Sequence, residues 1–157
     1  MKTVNRCLAA LAGIVLAQSA AAQVPYPEGY RNWTHVKSMV INPGHALYDA
    51  FGGMHHIYAN PKAIKGYRKG KFPDGAVIVF DLLTANTDGN AVQEGARKVV
   101  GVMVKRSGQY KQTGGWGFEG FKGDTRERAV GENAASACFQ CHTAQEDKDF
   151  VFSQWRQ

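Results

Sequence analysis

The sequence predicts an α+β fold, consisting predominantly of antiparallel β-sheet with a few short helices. Runs of β-branched and apolar residues recur along the chain, and turn signals such as Pro73-Asp74-Gly75 and Asp88-Gly89-Asn90 separate them. No repeat, low-complexity tract or linker rich in Pro, Gly or Ser interrupts residues 23–157. This continuity predicts one domain over residues 23–157, which is long enough to enclose a core.

The first half of this domain is expected to alternate strands with short helices. A short helix near Asn32 precedes a strand over residues 36–41, and residues 51–58 are expected to form the second strand. A short helix then begins at Asn60-Pro61 and reaches Tyr67, because proline is tolerated in the first turn of a helix.

The second half is expected to supply further strands and a C-terminal helical segment. Residues 76–83 follow the Pro-Asp-Gly turn and are the clearest strand of the chain. Residues 98–105 are expected to form another strand, and residues 116–121 one that is rich in glycine and aromatic residues. Residues 127–138 are expected to carry helix into the C-terminal segment.

The first 22 residues have the pattern of a secretory signal. Lys2 and Arg6 precede an apolar run over residues 8–17, and small residues lead to an expected cleavage after Ala22. The apolar run is too short to span a bilayer core of about 30 Å, so no membrane span is expected. The sequence therefore predicts a signal peptide over residues 1–22 and a periplasmic mature protein.

The segment Cys138-Phe139-Gln140-Cys141-His142 is the most informative of the chain, because it has the spacing C-x-x-C-H. Two cysteines three positions apart can bond to the two vinyl groups of one porphyrin, and the histidine that follows can bind the iron as an axial ligand. The motif predicts one covalently attached haem c per chain. Cys138 and Cys141 would hold the cofactor, and His142 would be the metal ligand.

Three other interpretations compete for this cysteine pair. A structural disulfide is the main one. A zinc site would need more ligands, and the sequence has no second pair of cysteines to complete it. A thioredoxin-like dithiol would lie early in its domain, between a strand and a helix, whereas this pair lies near the end of the chain.

The charge of the chain is compatible with an acidic partner. The formal net charge of +6 becomes +4 once the two positive charges of the signal are removed, and basic residues cluster within residues 62–71. A solvated surface is the plain interpretation of this cluster, and a docking patch for an acidic redox partner protein or for small anions is the sharper one. Nucleic-acid binding is not expected, since export argues against it.

Several segments of residues 23–157 resemble, in order and spacing, the cytochrome P-460 family, which includes the cytochromes c′-beta. They are 30–33 (YRNW), 57–61 (IYANP), 70–79 (GKFPDGAVIV), 104–107 (VKRS), 115–118 (GWGF), 138–142 (CFQCH) and 149–152 (DFVF). The resemblance implies a β-rich haem c domain that is usually a homodimer, with His142 as the proximal ligand.

Two departures from the family pattern indicate which branch the chain resembles. The hydroxylamine-oxidising cytochromes P-460 cross-link a lysine to the porphyrin, and counting from Asp74-Gly75 places Phe80 at that position. Those enzymes also place a carboxylate over the iron, whereas residues 99–104 contain no acid. The chain is therefore more similar to the cytochrome c′-beta branch, whose apolar distal pockets leave the iron open to nitric oxide or carbon monoxide.

This resemblance implies that Phe80, together with Phe51, lines the haem pocket and caps the open side of the iron. Ordinary core packing is the alternative for both rings. An apolar distal side disfavours ligands that need a hydrogen-bond donor, and nitric oxide and carbon monoxide need such help least. The expected function is small-gas binding, in nitrogen-oxide handling or detoxification.

Two other functions stay open. An internal sixth ligand would give an electron-transfer cytochrome, and its candidates are His35, His45, His55, His56, Met39, Met54 and Met103. Of the adjacent pair His55 and His56, at most one can face the haem, because successive residues of a strand point to opposite faces. Oxidation of hydroxylamine would require another group to replace the missing lysine and carboxylate.

Overall fold

The computed structural model describes residues 23–156, so the predicted signal peptide lies outside the described residues. A five-stranded antiparallel sheet forms the body, and its strands neighbour one another in chain order. The strands are β1 (Thr34–Ile41), β2 (Gly53–Ala59), β3 (Val77–Asp88), β4 (Ala91–Lys105) and β5 (Trp116–Lys122). The predicted α+β class with antiparallel sheet is confirmed.

Short helices connect or follow the strands. α1 (Tyr48–Phe51) is one turn between β1 and β2, and α2 (Pro61–Lys69) lies between β2 and β3. The Asn60 side chain accepts a hydrogen bond from the Ala63 backbone N–H at 2.8 Å, and Pro61 occupies the first turn, as expected for a helix start. α2 ends at Gly70, whose φ of 70° is readily adopted without a side chain.

Two local predictions were wrong. Phe51 does not begin the second strand: it is the last residue of α1, and β2 begins after Gly52. Residues 127–130 are not helical, because Arg128 forms an isolated bridge with Phe121 that extends the sheet by one pair. A short 3₁₀ turn covers Gly131–Asn133, and helix begins only at Ala135.

The β3–β4 hairpin is longer than its apolar residues alone predict. Its register runs from Val77↔Val104 to Asp88↔Ala91, across exposed polar residues. Gly89 and Asn90 close the hairpin with φ of 53° and 66°, which agrees with the predicted turn. Cross-strand hydrogen bonds therefore extend the sheet beyond the part whose side chains are buried.

The two faces of the sheet are covered differently. The front face includes Ile57, Ile78, Trp116 and Phe118, and it packs against α2, Val151 and the C-x-x-C-H segment. The back face includes Val79, Val100, Val102 and Phe121, and Val24 and Tyr30 from the N-terminal arm cover it. Among residues 23–156, no helix is long and apolar enough to cross a membrane.

Candidate haem site

The C-x-x-C-H segment lies on a short helical run at the edge of the front face. A π-helical turn, Ala135–Phe139, leads directly into α3 (Gln140–His142). Cys138 is half-buried and packs against the front-face cluster, whereas Cys141 is exposed. Burial raises the pKa of the Cys138 thiol, and Glu119 adds to the shift. Both cysteines carry free thiols within the described part of the chain, so both sulfurs are available for bonding to a porphyrin.

The His142 imidazole is held in the state that a metal ligand needs. Its Nδ1 lies 2.7 Å from the carbonyl oxygen of Phe150. A carbonyl can only accept, so Nδ1 carries the proton and Nε2 keeps its lone pair for a metal. Burial lowers the pKa of His142, against the opposing effect of the Phe150 carbonyl, so the neutral ring is favoured. The rings of Phe118 and Phe152, each 5.0 Å away, restrict its orientation.

The chain after the motif is anchored so that the Phe150 carbonyl points at this ring. Asp149 and Phe150 adopt φ of 53° and 64°, a conformation that residues other than glycine rarely take. Three contacts hold Asp149: Lys105 Nζ lies 2.6 Å from Oδ1, the Phe72 N–H donates to Oδ2 at 2.8 Å, and Trp116 Nε1 donates to the backbone oxygen at 2.8 Å. These contacts thus stabilise a backbone conformation at Asp149 and Phe150 that would otherwise be unfavourable.

Glu119 anchors the chain on the other side of the motif. Its carboxylate accepts from the Arg128 guanidinium at 2.6 Å and from the backbone N–H groups of Val130 and Gly131 at 3.2 and 3.1 Å. Burial raises the pKa of Glu119, but these hydrogen bonds outweigh it and the net pKa is lowered. These contacts therefore anchor residues 128–131, just before the helical run towards Cys138, a role that the sequence did not indicate.

The centre of the front face is an apolar surface that the protein itself covers only in part. Phe80, Val99, Gly101 and Met103, which we call the floor, are half-buried. Their neighbours on the back face, such as Val100, are completely buried. Gly101 lies opposite Gly120 in register, so no side chain rises from that row of β4 and β5. A flat apolar group beside the C-x-x-C-H helix would cover this floor, which fits a haem.

The two phenylalanines assigned to the pocket contact one another. Phe80 lies on the floor, and its ring centroid is 5.7 Å from that of Phe51 in an edge-to-face arrangement. Phe51 projects from α1 and is 40% exposed. The structure thus brings Phe80 and Phe51 together at one end of the floor, with Cys138 and His142 beside the other.

Only some of the candidate sixth ligands reach the front face. Met103 belongs to the floor, and Met39 and His55 are register partners on β1 and β2. His55 is 5% exposed, and its ring packs 4.6 Å from that of Phe80. Burial, helped by the charges of Lys37 and His56, lowers the pKa of His55 to about 4.

The other histidines are engaged elsewhere. His35 Nε2 and His56 Nδ1 lie 2.9 and 2.6 Å from the Ser38 hydroxyl, and His56 Nε2 lies 2.8 Å from a Glu94 oxygen. His45 is exposed and accepts from the Leu47 N–H at 3.1 Å. His55 and His56 point to opposite faces of β2, as their adjacency predicts.

Comparison with known proteins identifies a matching family. The family model described as Cytochrome P460 matches residues 27–153, which include all five strands and the C-x-x-C-H segment. No curated protein matches the chain.

Proposed function

Since this chain belongs to the cytochrome P460 family and is therefore a haem cytochrome, we propose that it is a periplasmic mono-haem c-type cytochrome that binds small gases. Nitric oxide and carbon monoxide would bind at an open iron position, in nitrogen-oxide handling or detoxification. The observation that carries the proposal is the neutral His142, which offers Nε2 beside a partly uncovered floor that ends at Phe80 and Phe51.

In this proposal the motif holds one covalent haem c. Cys138 and Cys141 would hold the haem through their sulfurs, and His142 would bind its iron through Nε2. The haem supplies an iron with a coordination position for a diatomic gas. The protein orients His142 through the Phe150 carbonyl, keeps its ring neutral, and shields the opposite side of the floor with aromatic side chains.

The residue at position 80 is the main reason for proposing the cytochrome c′-beta branch of the family. A phenyl ring cannot form the porphyrin cross-link expected of a lysine at that position, and residues 99–104 offer no carboxylate. The nearest acid on β5, Glu119, packs among residues of the segment that precedes the motif. A pocket of this kind favours gases that need little hydrogen bonding over hydroxylamine. It resembles the apolar distal pockets of the cytochromes c′-beta.

Partners and location complete the proposal. Residues 1–22 act as a cleaved signal peptide, and the mature chain forms a homodimer, as the family resemblance implies. The exposed cations of α2 and of the residues just after it would dock an acidic redox partner protein by charge complementarity. They are Lys62, Lys65, Arg68, Lys69 and Lys71.

A six-coordinate electron-transfer cytochrome is the second candidate, and Met103 and His55 on the front face favour it. Either side chain could act as an internal sixth ligand and set the reduction potential, and then no gas would bind. Oxidation of hydroxylamine, as in the cytochromes P-460 proper, is the third candidate and needs a substitute for the lysine at position 80.

One set of measurements tests these proposals. The full chain is produced in cells with a working haem-attachment system, and its intact mass is measured after denaturation. We expect a chain that begins at Gln23 and carries one haem, and a double variant, Cys138→Ala with Cys141→Ala, that carries none. Ferric and ferrous absorption spectra with and without nitric oxide should show a five-coordinate iron that binds the gas. A low-spin ferrous spectrum that ignores the gas would instead support electron transfer.

A further inference from the structure

One polar side chain interrupts the apolar end of the front face. His55 lies on β2, and its ring packs against Phe80 at 4.6 Å with an angle of 37° between the ring planes. It is 5% exposed. Phe51 contacts the same Phe80 ring, so His55 belongs to the aromatic group that closes this end of the floor.

The two nitrogens of the His55 ring are in different environments. Nδ1 is buried and has no hydrogen-bond partner among the described residues. Nε2 is not among the buried atoms that lack a partner. A buried N–H without an acceptor is costly, so the neutral ring favours the tautomer with the hydrogen on Nε2. The accessible edge of His55 is therefore a hydrogen-bond donor.

This is the opposite of the arrangement at His142. There the Phe150 carbonyl accepts from Nδ1–H and leaves the Nε2 lone pair for iron. If His55 bound iron through Nε2, its hydrogen would have to sit on the buried Nδ1, for which the described part of the chain supplies no acceptor. The favoured tautomers therefore differ: His55 on β2 presents a hydrogen-bond donor, whereas His142 on α3 presents a lone pair that can bind a metal.

The two histidines lie on opposite sides of the floor. His142 contacts Phe118 on β5, and His55 contacts Phe80 on β3 from its place on β2. Three strand spacings of about 4.8 Å separate β5 from β2, which amounts to about 14 Å of front face. That width leaves space for a haem whose iron would be bound by His142 from one side and whose ligand would be contacted by His55 from the other.

We propose that His55 is a distal hydrogen-bond donor, whose Nε2–H contacts the ligand that binds iron opposite His142. The inference rests on the proposed function, because it requires an open iron position, and it deepens that function. Phe80 and Phe51 provide an apolar wall, and His55 adds one donor to it. Gases that need no hydrogen bond still bind beside this wall, and a ligand that carries negative charge on its accessible atom, such as a polarised diatomic or a small anion, gains one hydrogen bond.

Carbon monoxide and azide serve as probes, since neither measures turnover. We compare the wild-type holoprotein with His55→Leu, which removes the donor, and with His55→Gln, which retains an N–H. His56→Leu is the matched control, because His56 is the next residue and faces the back of the sheet. The measured quantities are the C–O stretching frequency of the ferrous carbon monoxide complex and the affinity of the ferric protein for azide.

The proposal expects His55→Leu to raise the C–O stretching frequency and to weaken azide binding by about tenfold. His55→Gln should lie closer to the wild type, and His56→Leu should match it. An unchanged C–O frequency in His55→Leu, with carbon monoxide still bound, overturns this proposal while the gas-binding function stands. A wild-type protein that binds no carbon monoxide overturns both, and recovery of binding in His55→Leu would then identify His55 as an iron ligand.

Discussion

Replacing Lys105 by methionine tests whether the buried ion pair with Asp149 holds the proximal side of the site. The side chains are 6% and 12% exposed, and Nζ lies 2.6 Å from Oδ1. Lys105 Nζ also donates to the Gly114 carbonyl at 2.8 Å. Removing one partner of a buried pair typically costs about 3–5 kcal/mol, because the other charge stays buried without compensation.

We expect the lower part of this range, because the Phe72 N–H still donates to Asp149 in the variant. A loss of about 3 kcal/mol corresponds to a fall in Tm of about 10–15 °C for a domain of this size. Circular dichroism during heating of the holoprotein measures this change. Since Asp149 precedes the carbonyl that orients His142, the iron–histidine stretching band in resonance Raman spectra should also shift.

Lys122→Met is the matched control. Lys122 pairs with Glu127, and both side chains are more than half exposed, at 56% and 63%. Exposed pairs contribute about 0–1 kcal/mol, so the control should lower Tm by no more than about 4 °C. Equal Tm values for Lys105→Met and Lys122→Met would refute the reasoning about burial. A large fall in Tm with an unchanged iron–histidine band would limit the pair to a role in stability.

Three further predictions address the pocket and the chain before the motif. Phe80→Ala should speed binding of carbon monoxide and nitric oxide and admit water to the ferric iron, which stopped-flow mixing and the ferric spin state would show; unchanged association rates would exclude Phe80 as a cap. The reduced pyridine spectrum should be that of an ordinary haem c, since position 80 lacks a lysine, and a strongly red-shifted ferrous band would contradict this. The folded-state pKa of Glu119 is below its ordinary value of 4.5, so its contribution to stability is present above pH 4.5 and is lost as pH falls through the folded-state pKa. Glu119→Gln should destabilise the protein at pH 7 by about 1–3 kcal/mol and flatten this acid dependence in denaturant titrations; the same acid dependence in the variant would assign it to other groups.

Features that depend on neighbouring residues in the chain were predictable. The turn at Asp88-Gly89-Asn90 and the start of α2 at Asn60-Pro61 follow from backbone preferences of a few residues, and the structure confirms both. The succession of short segments that resembled the cytochrome P-460 family is likewise confirmed by the family match over residues 27–153. The choice of the cytochrome c′-beta branch remains a prediction.

Boundaries that depend on pairing between strands were less predictable. Phe51 is apolar and adjoins a strand pattern, so its local sequence did not distinguish strand from helix, and the structure places it in α1. The outer part of the β3–β4 hairpin has no apolar alternation, yet it is paired through backbone hydrogen bonds to Asp88↔Ala91. Such bonds require no particular side chain, and hydrophobic patterns therefore underestimate their extent.

The chemistry of the C-x-x-C-H motif is encoded within five residues, because two thiols and one imidazole at that spacing suffice to indicate a haem. The environment of each histidine is a tertiary property. His142 is oriented by the Phe150 carbonyl. The preceding residue, Asp149, is held by Lys105, which lies on β4 more than 40 positions earlier in the sequence. The tautomer inferred for His55 likewise depends on folding, which buries Nδ1 without a partner among the described residues and packs the ring against Phe80. Spacing along the chain determines which atoms can bond to a cofactor, whereas packing determines their protonation, direction and access.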